Sequence, residues 1–320
     1  LPSCIMLAGT IFCEVDQVLG FHHIANNVYY LPGPSNVGLL VGEGQRAVLI
    51  DTGVGRRSGR RLLQLLNKQG LGLEAILNTH CHGDHVGGNA YLVEHTGAKV
   101  YAPLYDSVML RHPWWGAMCT FGGGDPPAAL RVPRFSPQPS PVDVVVTEGE
   151  MEVAGLAVKA VALPGHTGTH TGYIASDVFF LGDALPGKAE LAHSALSYAY
   201  SITRWLETME KLRHYSCAYY VLGHGGIERD ISGLVEQNIA RVKETFGFIK
   251  GYLAGNSTDA SGILRAVCQH HGIEMRNIRQ YFRWSPVIHS FLSHLSNAGE
   301  LVYEVKDNQL LWRTVERDEE

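Results

Sequence analysis

No stretch of the sequence approaches the roughly 18 consecutive apolar residues that a membrane-spanning helix requires, so a helical membrane protein is excluded. CxxC pairs are absent as well. The six cysteines (Cys4, Cys13, Cys81, Cys119, Cys217 and Cys268) are scattered and read as reduced thiols of a cytoplasmic protein rather than a disulfide framework. The short apolar run Leu1–Thr10 has no basic segment ahead of it, so it does not read as a signal peptide; the chain does not begin with Met, which leaves residues upstream open. An excess of positive charge is missing too. With 26 Lys+Arg against 31 Asp+Glu, the net charge of −5 gives no general attraction to nucleic acid or anionic membrane. Internal repeats are absent, and the one biased tract is a proline-rich segment in the middle of the chain.

What is present is a chain of 320 residues, long for one domain and comfortable for two. Its 45% hydrophobic content can bury a core. Histidine is the compositional anomaly: there are 16, several in tight clusters. Short strands are expected over 28–31, 37–41 and 47–50, the first two split by Pro32-Gly33-Pro34-Ser35. A helix over 57–68 carries Leu62, Leu63, Leu65 and Leu66 on its apolar side and stops at Gly70. Strand 75–77, a helix to about His95 and strand 99–102 follow, an alternation that argues for an α/β sheet. From Trp114 to Pro141 the pattern breaks. This segment holds six of the 14 prolines, Gly122 to Gly124 and the pair Trp114-Trp115, and it reads as a long loop, functional or disordered. Strands resume over 142–147, 156–163, 173–175, 178–181 and 219–222, with a helix near 203–212. The first unit ends at about Asp230, giving a catalytic domain over 1–230. The remainder, 231–320, reads as a connecting helix (231–252), helices over 259–271, 275–281 and from Pro286 through Leu295, and a hairpin of strands 300–305 and 309–315. Three helices followed by a hairpin is the order of a winged helix.

The strongest local signal is Asn78-Thr79-His80-Cys81-His82-Gly83-Asp84-His85, directly after a strand. Imidazole suits zinc, iron, nickel or copper, and a carboxylate adds a harder ligand. In an extended turn His80 and His82 can address one metal while Asp84 and His85 address a second. Three further candidates sit at strand ends beside glycine: His166 in Leu163-Pro164-Gly165-His166, Asp183 in Leu181-Gly182-Asp183 and His224 in Leu222-Gly223-His224-Gly225. Together they complete two sites of three to four ligands with open positions, as catalytic zinc requires.

The series His80-x-His82-x-Asp84-His85, then His166, Asp183 and His224, resembles the hydrolase branch of the metallo-β-lactamase superfamily from about Val28 to Gly226. The resemblance implies a four-layer αβ/βα sandwich with a dinuclear site at one edge. It assigns His80, His82 and His166 to the first metal, Asp84, His85 and His224 to the second, and Asp183 to a bridge between them. It also matches Asp51 of Asp51-Thr52-Gly53, which supports the ligands from behind. Two zinc ions are expected, with iron or manganese as alternatives. β-Lactamases of the common class carry Cys where this chain has Asp183; the carboxylate instead resembles the glyoxalase II, lactonase, thioesterase and nuclease branches.

The function expected is hydrolysis of a small acyl substrate (a thioester, lactone or related ester) by a water that two metals share and drive towards hydroxide, with Asp84 both ligating and orienting it. The alternative is a phosphodiesterase or ribonuclease. Trp114, Trp115, His193 and Tyr198 are candidate substrate contacts, although Trp114, Trp115 and Phe121 serve equally well as a homodimer contact or lid packing. His170 reads as a hydrogen-bonding loop residue, and Cys81 as a small packed side chain. C-terminal modules of this kind resemble those of the lactamase-like protein type 2 branch, which is linked to cleavage of single-stranded RNA. Here, however, residues from Gly251 onward carry a net −2, and helix 286–295 has no Lys or Arg. A small-molecule substrate is therefore expected rather than nucleic acid, with the C-terminal module structural or substrate-capping. Ile288, Phe291, Leu292 and Leu295 recur at helical spacing and mark a buried face.

Overall fold

The computed structural model describes residues 4–7, 10–13, 20–193 and 196–315, with side chains described for 20–192 and 196–315. Strands β1 (Cys4–Leu7) and β2 (Thr10–Cys13) pair as a hairpin. The first large sheet runs β3 (His22–Ala25), β4 (Val28–Leu31), β5 (Val37–Val41), β6 (Arg46–Ile50), β7 (Gly72–Leu77), β8 (Lys99–Pro103) and β9 (Val144–Val146) in sequence order. It is antiparallel up to β6 and parallel from β6 to β9. The parallel steps are crossovers made by helices α1 (Gly55–Lys68), α2 (Gly83–Val86), α3 (Asn89–Thr96), α4 (Leu104–Arg111) and α5 (Trp114–Thr120). The second sheet runs β10 (Gly149–Val153), β11 (Leu156–Ala162), β12 (Thr171–Ala175), β13 (Val178–Gly182), β14 (Tyr219–Leu222) and β15 (Ile227–Glu228), with β13 and β14 parallel. Between β13 and β14 lie α6 (Lys188–His193) and α7 (Ile202–Leu212).

The two-residue period of a strand builds the layers. On β6, Val48 and Ile50 enter the core between the sheets while Ala47 and Leu49 pack under the helices beside sheet one. On β13, Val178 and Phe180 enter the same middle core, and Phe179 and Leu181 face the opposite helical layer. The result is a four-layer αβ/βα sandwich. No helix among the described residues is long and apolar enough to cross a membrane.

Helices α8 (Ser232–Leu253), α9 (Ala260–His270) and α10 (Ile278–Asn297) complete the outer layer over sheet two, and β16 (Leu301–Lys306) pairs with β17 (Gln309–Thr314). Two helices expected over 275–281 and 286–295 are one. Asn277 caps α10 by accepting the Gln280 amide hydrogen, and Pro286 sits inside the helix. The proline cannot donate to the carbonyl of Phe282, which costs one bond. The stripe Trp284, Val287, Ile288, Phe291, Leu292 and Leu295, all buried, holds the helix through that gap. Its partners are Ile202, Trp205 and Met209 of α7, in a core that runs unbroken from β11 to Trp312. The Ser290 hydroxyl accepts the Ile202 amide hydrogen at 2.7 Å, fastening α10 to the start of α7. Because Phe291 is 1% exposed in this shared core, Phe291→Ala is expected to cost about 3–5 kcal/mol of stability. Urea unfolding measures this, and a loss below about 1 kcal/mol would mean that α10 contributes little to the common core.

The segment 114–141 is not structureless: besides α5 it holds a 3₁₀ turn at Ala128–Leu130 with Leu130 fully buried. Phe121 meets Phe282 of α10 edge to face at 5.0 Å, so the segment and the C-terminal layer close on each other.

Candidate metal centre

Each candidate ligand stands just past a strand. The chain leaves β6 at Asp51, which adopts φ +60, a left-handed conformation that aspartate tolerates better than most residues. Asp51 Oδ1 accepts the Thr79 amide at 2.9 Å, and Oδ2 accepts both the Thr79 hydroxyl at 2.8 Å and His85 Nδ1–H at 2.8 Å. The motif after β7 is not an extended turn throughout. From Gly83 it winds into the single helical turn α2, with the His85 and Val86 amides donating to the His82 carbonyl. Winding is what separates the two halves: His80 and His82 face His166 and Asp183, whereas Asp84 and His85 face His224. The Pro34–Asn36 turn fixes the far side, because the Ser35 hydroxyl donates to the Asp84 carbonyl and His224 Nδ1–H to that of Pro34.

Four of the five histidines have Nδ1 occupied. His80 Nδ1 lies 3.0 Å from the Thr79 hydroxyl, His85 Nδ1 donates to Asp51, His166 Nδ1 donates to the Tyr198 carbonyl at 3.1 Å, and His224 Nδ1 is held by Pro34. A proton on Nδ1 leaves the Nε2 lone pair free and aims it inward, the arrangement that fixes a metal-ligating imidazole. His82 presents Nδ1 instead, 2.9 Å from His166 Nε2. Asp183 lies at the centre, its carboxylate oxygens 3.8 Å from His80 Nε2, 3.4 Å from His166 Nε2, 3.1 Å from His85 Nε2 and 3.4 Å from His224 Nε2. Its amide donates to His170 Nε2 at 3.1 Å, so His170 acts as a hydrogen-bonding residue. Gly223 leaves the carboxylate its room: a Cβ there would fall 2.1 Å from Asp183 Oδ1.

The electrostatics are those of a site built to receive cations. Burial holds His80 and His166 well below the usual imidazole range. Burial also acts on His85, but the carboxylates of Asp183 and Asp51 overcome it and raise its basicity. His80 Nε2, His85 Nε2 and Asp183 Oδ1 are buried with no hydrogen-bond partner. Unsatisfied buried polar atoms are rare and demand an explanation. A divalent metal supplies one. His80, His82, His166 and Asp183 offer ligand atoms within 4.8 Å of one another, as do Asp84, His85 and His224. Nitrogen and carboxylate donors in groups of three and four suit zinc. Asp51 also falls within such a group with His80 and His85, but its hydrogen bonds to Thr79 and His85 make it a support.

A cleft of about 910 Å³ opens over His82, Asp84, His166, Asp183 and His224. Tyr105, Met109, Phe135, Leu196, Tyr198 and Phe282 supply much of its wall. Tyr198 stacks edgewise on His82 and His166 at 5.4 Å, and burial raises its phenol to about 12. Trp114 and Trp115 lie outside the cleft, 39% and 51% exposed. Helical spacing turns Gly116, Cys119 and Thr120 of α5 inward instead, and Trp114 packs under the Arg131 guanidinium at 4.8 Å. The side chain of His193, the last residue of α6, lies outside the described residues. Cys81 is a packed residue, its amide donating to Asp106 at 3.0 Å. Three cleft residues carry no local motif that would single them out: Asp106, which also accepts the Thr169 hydroxyl at 2.7 Å, and the cations Arg134 and Arg283.

A helix-flanked double sheet that gathers five histidines and two aspartates beside a deep cleft defines a metal-binding hydrolase. The chain belongs to the metallo-beta-lactamase superfamily, whose sequence model matches residues 30–224. Members use divalent metals, typically zinc. Among curated relatives, an atrochrysone carboxyl ACP thioesterase of Aspergillus fumigatus is 25% identical over 291 residues, 87% of this chain and 60% of that protein, so the chain spans less than two thirds of that relative. A hydroxyacylglutathione hydrolase of Dechloromonas aromatica is 32% identical over 148 residues, 46% of this chain and 43% of that one. The fold is shared with a beta-lactamase domain protein from Burkholderia ambifaria, with TM-score 0.73, 19% identity and 92% and 93% of the two chains covered. It is shared also with a metallo-beta-lactamase family protein from Thermus thermophilus, with TM-score 0.70, 20% identity and 92% and 99% covered.

Proposed function

We propose that the chain is a dinuclear hydrolase of small acyl substrates, thioesters foremost, with His80, His82 and His166 holding one metal, Asp84, His85 and His224 the other, and Asp183 between them. The observation that carries this reading is the position of Asp183, whose carboxylate lies within 3.8 Å of imidazole nitrogens from both groups. Bound divalent ions would supply Lewis acidity and bring the ionisation of water towards neutral pH. The chain's own residues do the rest. Asp51, Thr79, Tyr198 and Pro34 hold the imidazoles in one tautomer. Asp84, which lines the cleft beside the other candidate ligands, is placed to accept a proton from an attacking water and orient it. The wall of Met109, Phe135 and Phe282 seats an apolar acyl group and excludes bulk solvent.

The two relatives named as a thioesterase and a hydroxyacylglutathione hydrolase support an acyl substrate. Against a nucleic acid stands the scarcity of cationic side chains: among the described residues Arg134 and Arg283 are the lysine or arginine residues that line the cleft. A polyanion needs a longer run of cations than that. Elemental analysis of protein purified without chelator is expected to give close to two metals per chain. Thioesters of N-acetylcysteamine are expected to be hydrolysed faster than lactones, and phosphodiesters to be left intact. One metal per chain would sink the dinuclear reading, and faster turnover of phosphodiesters would replace the acyl one.

A further inference from the structure

We propose that Arg283 and Arg134 form a reader for an anionic group on the acyl part of the substrate, close to the bond that is cleaved; the inference rests on the thioester reading above. The two side chains come from distant parts of the chain. Arg134 belongs to the proline-rich segment and Arg283 to α10, and both line the cleft over the metal centre. Arg134 Nη2 stands 3.8 Å from Asp84 Oδ2, with 54% of the side chain still exposed. Arg283 is half-buried, and among the described residues it has no ion pair and no hydrogen bond. Its guanidinium carbon lies 4.9 Å from the ring centre of its neighbour Trp284.

A guanidinium brings five donors, and taking it partly out of water without a partner is costly. Burial pushes the basicity of Arg283 down, the charge of Arg134 does the same, and Glu190, Asp84 and Asp183 act the other way. Among the described residues none of these carboxylates pairs with it at contact distance. Glu190 accepts the Gly187 amide at 3.2 Å, and Asp84 and Asp183 belong to the candidate metal ligands. An unpaired Arg283 and a half-exposed Arg134 whose nearest carboxylate is 3.8 Å away, both lining one cleft, are complementary to an anion bound there. The planar fork of arginine matches a carboxylate through two parallel hydrogen bonds.

Position decides which part of a thioester carries that anion. Arg134 stands beside Asp84, at the reacting end of the cleft. The phosphate of a coenzyme A or carrier-protein arm is separated from the thioester sulfur by the whole pantetheine chain, so it lies far from this point. An acidic group on the acyl side, a few bonds from the carbonyl, lies within reach. The surrounding Met109, Phe135 and Phe282 then fit the apolar remainder. The substrate class is a thioester of an apolar acid that bears a second acidic group.

The test compares glutaryl and pentanoyl thioesters, each made on N-acetylcysteamine and on coenzyme A, with the metal-loaded full chain. Wild type is expected to favour glutaryl over pentanoyl by at least about tenfold in kcat/KM, mainly through KM, the scale of one charged hydrogen-bonded contact. In Arg283→Gln that ratio is expected to fall to near one, and Arg283→Lys is expected to restore part of it. Calorimetry with glutarate and pentanoate gives a readout free of turnover: glutarate is expected to bind wild type more tightly, and the difference to vanish in Arg283→Gln. Thermal unfolding of each variant separates these effects from loss of fold. A ratio near one in wild type, or equal losses for both acyl groups in Arg283→Gln, would overturn the proposal. So would a loss that follows coenzyme A irrespective of the acyl group, which would place the anion on the leaving side. If wild type hydrolyses none of the four thioesters, the thioester reading fails, and the glutarate difference still decides whether the arginines bind an anion.

Discussion

Asp183→Asn is expected to keep the fold and lose more than a hundredfold in kcat/KM, beyond the roughly 10- to 100-fold typical of a residue that only supports a metal ligand. The carboxylate is central in a literal sense. Imidazole nitrogens of His80, His85, His166 and His224 all lie within 3.8 Å of it, and among the described residues no other carboxylate pairs with histidines of both groups. Asparagine has the same shape, so the space left by Gly223 is still filled and the backbone N–H still donates its hydrogen bond to His170 Nε2. What disappears is the negative charge that lets two cations sit close together. The new amide also turns a donor or a weaker acceptor towards nitrogens that offer lone pairs. Steady-state kinetics, metal content and thermal unfolding are read together. Near wild-type turnover with full metal content would show that Asp183 is not shared between two ions.

Asp51→Asn should cost about 10- to 100-fold in activity or metal affinity while leaving the residue touching no substrate. Asparagine is the informative replacement because it also tolerates the left-handed backbone at φ +60, so no strain is introduced. Asp51 Oδ2 accepts two donors, the Thr79 hydroxyl and His85 Nδ1–H, and Oδ1 accepts the Thr79 amide. An amide side chain has one oxygen for these three donors, and its NH₂ must face one of them. The proton on His85 Nδ1 is then no longer secured, and with it the tautomer that frees Nε2. Metal content measured across a range of metal concentrations should show weakened binding. Unchanged metal affinity together with unchanged kcat would mean that His85 is oriented by its packing alone.

The contrast between what the sequence discloses and what it hides follows from chain distance. Ligand candidates are legible because each comes at the end of an apolar run and beside glycine: strands deliver polar residues to a sheet edge, and crowding there demands residues without Cβ. The alternation of Val48 and Ile50 with Ala47 and Leu49 likewise makes the layers legible. The cleft wall is different. Arg283 lies in a helix expected to start only at Pro286, because proline is a strong stop signal in isolation. Six buried apolar residues at helical spacing outweigh one missing hydrogen bond, and the helix extends back over eight residues that bring Phe282 and Arg283 to the cleft. Trp114 and Trp115 carry the opposite lesson. Large aromatics near a site suggest a substrate wall, yet the rotation of α5 sends the small residues Gly116, Cys119 and Thr120 inward.

The unbroken core shared by α7 and α10 bears on how this enzyme can change its diet. All seven candidate ligands fall between His80 and His224, whereas Phe282, Arg283, Pro286 and His289, on one side of the cleft, come from a helix more than fifty residues downstream. Substitutions on the cleft-facing positions of that helix can alter which substrate is admitted without moving an imidazole, provided the stripe from Trp284 to Leu295 stays apolar. One side of the selectivity surface is thus written in a stretch of chain apart from the ligands, and selection can revise that side while the ligands stand still.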